Sequence, residues 1–202
     1  MAQHIRPRPQ PKDHTVRQTV TNLPQPPSEA ELQRVAEQLG RAPRGVVAIS
    51  YHTPDGEPGV VMTAPRLPDG TPFPTLYYLT EPRLVAEASR MEATHVMKEM
   101  TERLQVSPEL QANYQAAHLH YLQKRNSMED LGTDFSGGGM PDRVKCLHVL
   151  MAYALSEGPG VVRLGDEAVA RAADDGGLRG IAIPASWPTL AELGVAPAER
   201  NS

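Results

Sequence analysis

Val46-Val47-Ala48-Ile49-Ser50-Tyr51-His52, then Thr53-Pro54-Asp55-Gly56-Glu57, then Gly59-Val60-Val61-Met62-Thr63-Ala64-Pro65-Arg66 is the stretch that decides the fold. Two short runs rich in β-branched residues flank a segment with Pro and Asp-Gly turn chemistry. They read as a hairpin. Leu67-Pro68-Asp69-Gly70 is a second turn, and TLYYLT at 75–80 is a third strand. The three strands predict a small, mainly antiparallel sheet.

Outward from the sheet the pattern is helical. Ser28-Glu29-Ala30-Glu31 is a capping box, followed by Leu32, Val35, Ala36 and Leu39 at helical spacing and by Gly40 as the stop. On the other side Thr80 caps a helix starting near Glu81-Pro82, with Leu84, Val85, Ala88 and Met91 on its apolar face. Further helix is predicted over 94–105, and from Ser107-Pro108-Glu109 to Lys124. The polar NSMEDLGTDFSGGG interrupts. Met140-Pro141 then opens the helix PDRVKCLHVLMAYALS, which Gly158-Pro159-Gly160 ends. Short helices are expected at 165–173 and 188–193. The predicted class is α+β, several helices packing one three-stranded sheet.

The chain has 202 residues, enough for one core. Residues 28–195 are read as that domain and 196–202 as a flexible C-terminus. Residues 1–27 hold six of the 20 prolines, with Arg6, Arg8, Lys12 and Arg17 against Asp13 alone. This is read as a disordered basic arm, either a tether for an acidic partner or nucleic acid, or a solvated tail. The arm's net +3 within a chain of −4 leaves −7 for the rest, which makes nucleic acid an unsuitable partner for the folded domain. Aromatics are only 4%, so the core is expected from Leu, Val, Ala and Met. The single cysteine excludes an internal disulfide and fits a reducing cytoplasm. No apolar run is long enough to span a membrane, so no membrane insertion is expected.

Ser136-Gly137-Gly138-Gly139-Met140-Pro141-Asp142-Arg143-Val144-Lys145 carries the strongest chemical signal. A glycine loop running into a helix start exposes amide donors, and the helix dipole adds positive potential. Arg143 and Lys145 strengthen it, and Arg66 is a helper. Gly137, Gly138, Gly139, Arg143 and Lys145 thus form a candidate site for a phosphate or carboxylate. The alternative is a tight turn with solvated cations. Neither a Walker A loop nor GxGxxG is present.

A second candidate is catalytic. His118 shares a face with Leu110, Tyr114 and Tyr121, so it points inward, while His120 points away. His148 shares a face with Val144, Met151 and Leu155, and Cys146 lies roughly 200° from it in a regular helix. His118 and His148 are expected to be largely buried, with His118 near the helix of His148, where Cys146, His118 and His148 can support a thiolate nucleophile. His118 and His148 with a carboxylate are alternatively a metal set, or plain core histidines. A shared metal on Cys146 and His148 requires an irregular first turn. No metal or cofactor is assigned. His52 ends a strand beside a turn, and His95 stands alone. Asp166-Glu167 reads as a helix start and Asp174-Asp175-Gly176-Gly177 as a loop, neither with calcium-loop spacing. Trp187 is read as a staple for the C-terminal turn.

GVVMTAPRLPDGTPFPTLYYLT, LGTDFSGGGMPDRVKCLHVLMAYAL, GPG and LGDEA resemble, in order, the mainly actinobacterial family called domain of unknown function 501, over about residues 30–185. The resemblance transfers no catalytic residue. Genes of that family often neighbour those for enolase, a septum-formation initiator and an exopolyphosphatase. This implies a cytoplasmic housekeeping setting and favours a phosphorylated ligand. The first functional expectation is therefore a cytosolic binder of an anionic small molecule at the glycine loop. The alternatives are a Cys/His-dependent hydrolase or transferase, and an interaction protein docking on a division or metabolic partner. An enzyme is expected to expose the thiol or a histidine in the same concavity as the glycine loop, whereas a binding module needs only the loop and positive charge there.

Overall fold

The computed structural model describes residues 25–174, 180 and 182–196. The basic arm up to Pro24, residues 175–179 and 181, which include Asp175, Gly176 and Gly177 of the predicted loop, and the chain after Ala196 lie outside the described residues. The remainder is α+β. In chain order it has α1 (Glu29–Leu39), β1 (Val46–His52), β2 (Pro58–Thr63), β3 (Tyr77–Leu79), α2 (Pro82–Glu92), α3 (Val96–Val106), α4 (Pro108–Met128), α5 (Leu147–Glu157) and α6 (Arg163–Asp174). The sheet order is β1-β2-β3, with both pairings antiparallel. The hairpin closes as its sequence requires: Thr53 N–H donates to Glu57 O at 2.9 Å and Gly56 N–H to Thr53 O at 2.8 Å.

Local chemistry sets the helix starts. Ser28 and Glu31 form the reciprocal capping box of α1. Ser107 caps α4 through the Leu110 amide, with Pro108 in the first turn. The cap of α2 is Glu81 rather than Thr80, its carboxylate accepting from Leu84 N at 2.9 Å. No helix of the described residues is long and apolar enough to cross a membrane.

Two predicted helices are corrected. The helix placed at Pro141 begins at Leu147, because the chain first wraps around Gly138 and Gly139. Lys145 N–H and Cys146 N–H reach back to Gly138 O, and Asp142 N–H donates to Gly139 O three residues back, so the single i to i−4 bond from Arg143 N–H to Gly139 O is not continued into a helical ladder. Residues 188–193 form turns, not a helix. Trp187 is buried there, and its indole N–H donates to Asp166 O at 3.2 Å.

Helix α5 is the centre of the core. Leu147 and Leu150 through Ala154 are all fully buried, against β3, α2 and α6. The few aromatics are concentrated here. Tyr77 stacks on Tyr153 with centroids 5.7 Å apart, and Tyr121 meets Tyr153 edge-on at 5.2 Å. The expectation of an aliphatic core is thus modified by a tyrosine cluster, whose hydroxyls are satisfied. Tyr121 OH accepts from Leu76 N and Tyr153 OH donates to Ala117 O.

Charge is also buried. Glu167 of α6 receives Arg103 of α3 on both oxygens, at 2.6 and 2.7 Å, and Arg171 at 2.8 Å. Asp166 accepts from Gly160 N on Oδ2, while its buried Oδ1 has no partner. Burial pushes its carboxyl up to about 6, despite the Gly160 amide and the Arg163 charge. The native state therefore keeps a proton that the unfolded chain releases near pH 4, and stability falls as pH rises from about 4 to 6 and stays lower above. Asp166→Asn removes that decline. Urea denaturation is expected to find the variant more stable than wild type at pH 8, by up to about 3 kcal/mol, with little difference at pH 4. Equal effects at both pH values would contradict this.

Candidate functional site

A buried helix start must find partners for its amides. At α5 the partner comes from another helix. Cys146 is the N-cap, in extended conformation (φ −149°, ψ 113°), and its side chain makes no capping bond. Glu92, the last residue of α2, supplies the acceptor. Its Oε1 takes Leu147 N at 2.6 Å and His148 N at 3.3 Å, and lies 3.0 Å from His148 Nδ1. One turn back on α2, Ser89 Oγ lies 3.2 Å from His148 Nε2. The ring is held from both sides, yet it is half-buried rather than largely buried as expected, because its edge lines a cleft.

Because Cys146 is a cap and not a helical residue, the angular separation of a regular helix does not apply to it. Its sulfur, a His148 nitrogen and a Glu92 oxygen all lie within 4.8 Å of one another. His148 is pushed up to about 9, first by the hydrogen bond to Cys146 and then, against burial, by the hydrogen bond and charge of Glu92. For Glu92 burial works upward, but His148 and the two amides outweigh it and hold its carboxyl below the ordinary range. His148 is thus a cation at neutral pH. With a folded value above the unfolded 6.5, its stabilisation is complete below pH 6.5 and is lost as pH rises through 9. Wild type is expected to lose up to about 3 kcal/mol between pH 6.5 and 10 relative to His148→Gln, as read by urea titrations at both pH values. Parallel pH curves would contradict it.

Cys146 and His148 open into a cleft of about 590 Å³, within the range of small-molecule sites. Leu39 of α1, Tyr78 and Leu79 of β3, and Val85 of α2 give it apolar walls. The thiol and imidazole therefore have a concavity, but not one shared with the glycine loop, as the sequence reading required of an enzyme.

The glycine loop lies elsewhere in character. Ser136, Gly137 and Gly138 are buried, and none of the three glycines lines the cleft. A Cβ on Gly138 (φ 66°) would come within 2.7 Å of Leu150, and one on Gly139 (φ 94°) would collide with the Arg143 carbonyl. These glycines allow the loop to pack under α5. The amides of Met140, Asp142, Arg143, Lys145 and Cys146 all donate to carbonyls of Gly137–Gly139, and those of the true helix start go to Glu92. The Arg143 and Lys145 side chains are exposed.

The remaining candidates are apart. His118 is buried, and Nδ1 lies 2.9 Å from Ser136 Oγ; no hydrogen bond joins it to Cys146 or His148 among the described residues. Burial lowers its pKa, against the fields of Asp134 and Asp142. Arg66 is engaged by Glu129 at 2.6 Å, and His52 Nε2 lies 2.8 Å from Glu31. Sequence reasoning missed Glu92 and Ser89. Their i, i+3 spacing places them on one face of α2, but nothing in the sequence links that face to residues 146–148, more than fifty positions on.

A family model described as protein of unknown function (DUF501) matches residues 49–170, a span that contains Ser89, Glu92, Cys146 and His148. No curated protein and no solved structure matches the chain.

Proposed function

The chain belongs to the DUF501 family, whose description states no activity, and from the site itself we propose that it is a thiol-dependent hydrolase or transferase acting on an acyl substrate in the apolar cleft. The observation that carries this is the Glu92–His148–Cys146 constellation opening into that cleft. Cys146 is the nucleophile, His148 the proton carrier and Glu92 the group that orients and charges the imidazole. In this proposal the proton that makes His148 a cation is the one Cys146 has given up, and the sulfur attacks the acyl carbon. The bond to the leaving group breaks, and the leaving group takes a proton from the imidazolium. Water, or an acceptor with a hydroxyl or amine, then attacks the thioester carbon and gives its proton to His148, which restores the thiol site. The apolar walls suit the acyl chain.

Incubating the full chain with a p-nitrophenyl ester and weighing it intact tests this. One acyl adduct, mapped to Cys146 and absent from Cys146→Ser, is the expected result. Acylation no faster than that of the urea-unfolded chain would overturn it.

Binding of an anionic ligand near the glycine loop is the second reading. It is favoured by exposed Arg143 and Lys145, neither of which pairs with a carboxylate among the described residues. It is weaker because the loop amides and the helix start already have acceptors. Phosphate-induced NMR shifts at Gly137–Lys145 that vanish in Arg143→Ala would establish it.

A further inference from the structure

We propose that Glu92, Cys146 and His148 form a three-ligand site for a borderline-soft divalent cation, Zn²⁺ above others, whose occupancy shuts off the thiol. The inference shares its residues with the acyl-transfer reading but concerns a different occupant. Sulfur, imidazole nitrogen and carboxylate oxygen are the donors zinc takes, at about 2.0–2.3 Å. Around a tetrahedral ion such donors stand roughly 3.3–3.8 Å apart. Glu92 Oε1 and His148 Nδ1 are already 3.0 Å apart, and all three donors lie within 4.8 Å of one another. Small side-chain rotations suffice to close the set.

The outer partners are in place as well. A ligating histidine needs its other ring nitrogen anchored, and Ser89 Oγ stands 3.2 Å from Nε2, leaving Nδ1 for the metal. The Leu147 and His148 amides fix the Glu92 carboxylate through Oε1. The ion replaces the proton that Glu92 and His148 now share, so binding releases protons. Three protein ligands leave a fourth position, and the cleft lined by Cys146 and His148 gives access to it. A metal-bound sulfur is no free nucleophile. Zinc occupancy and thiol alkylation are therefore mutually exclusive.

The test uses the full chain stripped with EDTA and then freed of it. Cd²⁺ titration is followed by the ultraviolet thiolate-to-metal absorption band, and Zn²⁺ affinity by competition with a chromogenic chelator. The expected result is one equivalent, with the band missing in Cys146→Ser and the affinity at least tenfold weaker in Glu92→Gln and in His148→Gln. Serine is a good N-cap, so Cys146→Ser keeps α5 capped. One equivalent of Zn²⁺ should slow iodoacetamide labelling of Cys146 at least tenfold, and EDTA should restore it. No band at saturating Cd²⁺, or Zn²⁺ binding unchanged in both Cys146→Ser and Glu92→Gln, overturns the proposal. Acylation measured in EDTA is independent of the metal. Failure there with an intact metal site would sink the acyl-transfer reading alone, and the reverse outcome would sink only this one.

Discussion

Arg125→Ala should cost about 3–5 kcal/mol of stability, the largest loss expected from any single side chain of α4. Arg125 is 0% exposed, and no carboxylate pairs with it among the described residues. Its charge is met by dipoles instead. Nη1 donates to Phe135 O, Nη2 to Thr133 O at 2.8 Å and Nε to Asn126 Oδ1 at 3.0 Å. Truncation opens a cavity and orphans two carbonyls of the segment that leads into Ser136–Gly139, the loop packed under α5. Lysine cannot span the same acceptors from one ammonium, so Arg125→Lys should recover only part of the loss. Thermal melts are expected to drop by more than about 6 °C in Arg125→Ala. A loss below about 1 kcal/mol would mean that the loop is held by its backbone turns alone.

His148→Ala should lower the rate of acyl transfer to Cys146 by about 10²–10⁴-fold. The imidazole is the only proton carrier among the described residues that both reaches Cys146 and is oriented by a carboxylate. Its removal leaves the sulfur without an acceptor for its proton and the leaving group without a donor. Glu92→Gln keeps an amide oxygen for the Leu147 and His148 amides but removes the charge that favours the imidazolium, so a smaller loss, roughly tenfold, is expected. His118→Ala should leave the rate unchanged while lowering stability, because that ring bonds to Ser136. Burst kinetics with a p-nitrophenyl ester separate these outcomes. Equal rates in wild type and His148→Ala would remove the imidazole from the chemistry.

The hairpin, the capping box of α1 and the order of helices were legible in the sequence because each rests on contacts within a few residues. Asp55-Gly56, Ser28/Glu31 and Ser107-Pro108 announce themselves locally. The start of α5 was not legible. Pro141 is a normal helix opener, and only the three-dimensional packing of Gly137 and Gly138 against Tyr121, Val149 and Leu150, with Gly139 against the Arg143 carbonyl, reveals why the chain coils for six more residues. That delay turns Cys146 from a helical residue into a cap and brings its sulfur to the side of His148. Both were singled out from sequence, but as residues on different faces. Glu92 was silent because its role depends on where α2 ends against α5, a tertiary distance with no sequence period. His118, read as their companion, faces inward as its helical spacing indicates. The start of the glycine loop places Ser136, not Cys146, beside it.

The most direct measurement follows from the single cysteine: the rate of Cys146 alkylation by iodoacetamide at pH 7 in EDTA, for the native chain, the same chain in urea, and His148→Gln. Thiolate is the reactive form, so the proposed proton transfer from Cys146 to His148 predicts reactivity in spite of partial burial. A native rate at least tenfold above the unfolded rate, falling to or below it in His148→Gln, is the predicted result. A native rate at or below the unfolded rate, unchanged by His148→Gln, would contradict a working thiol centre.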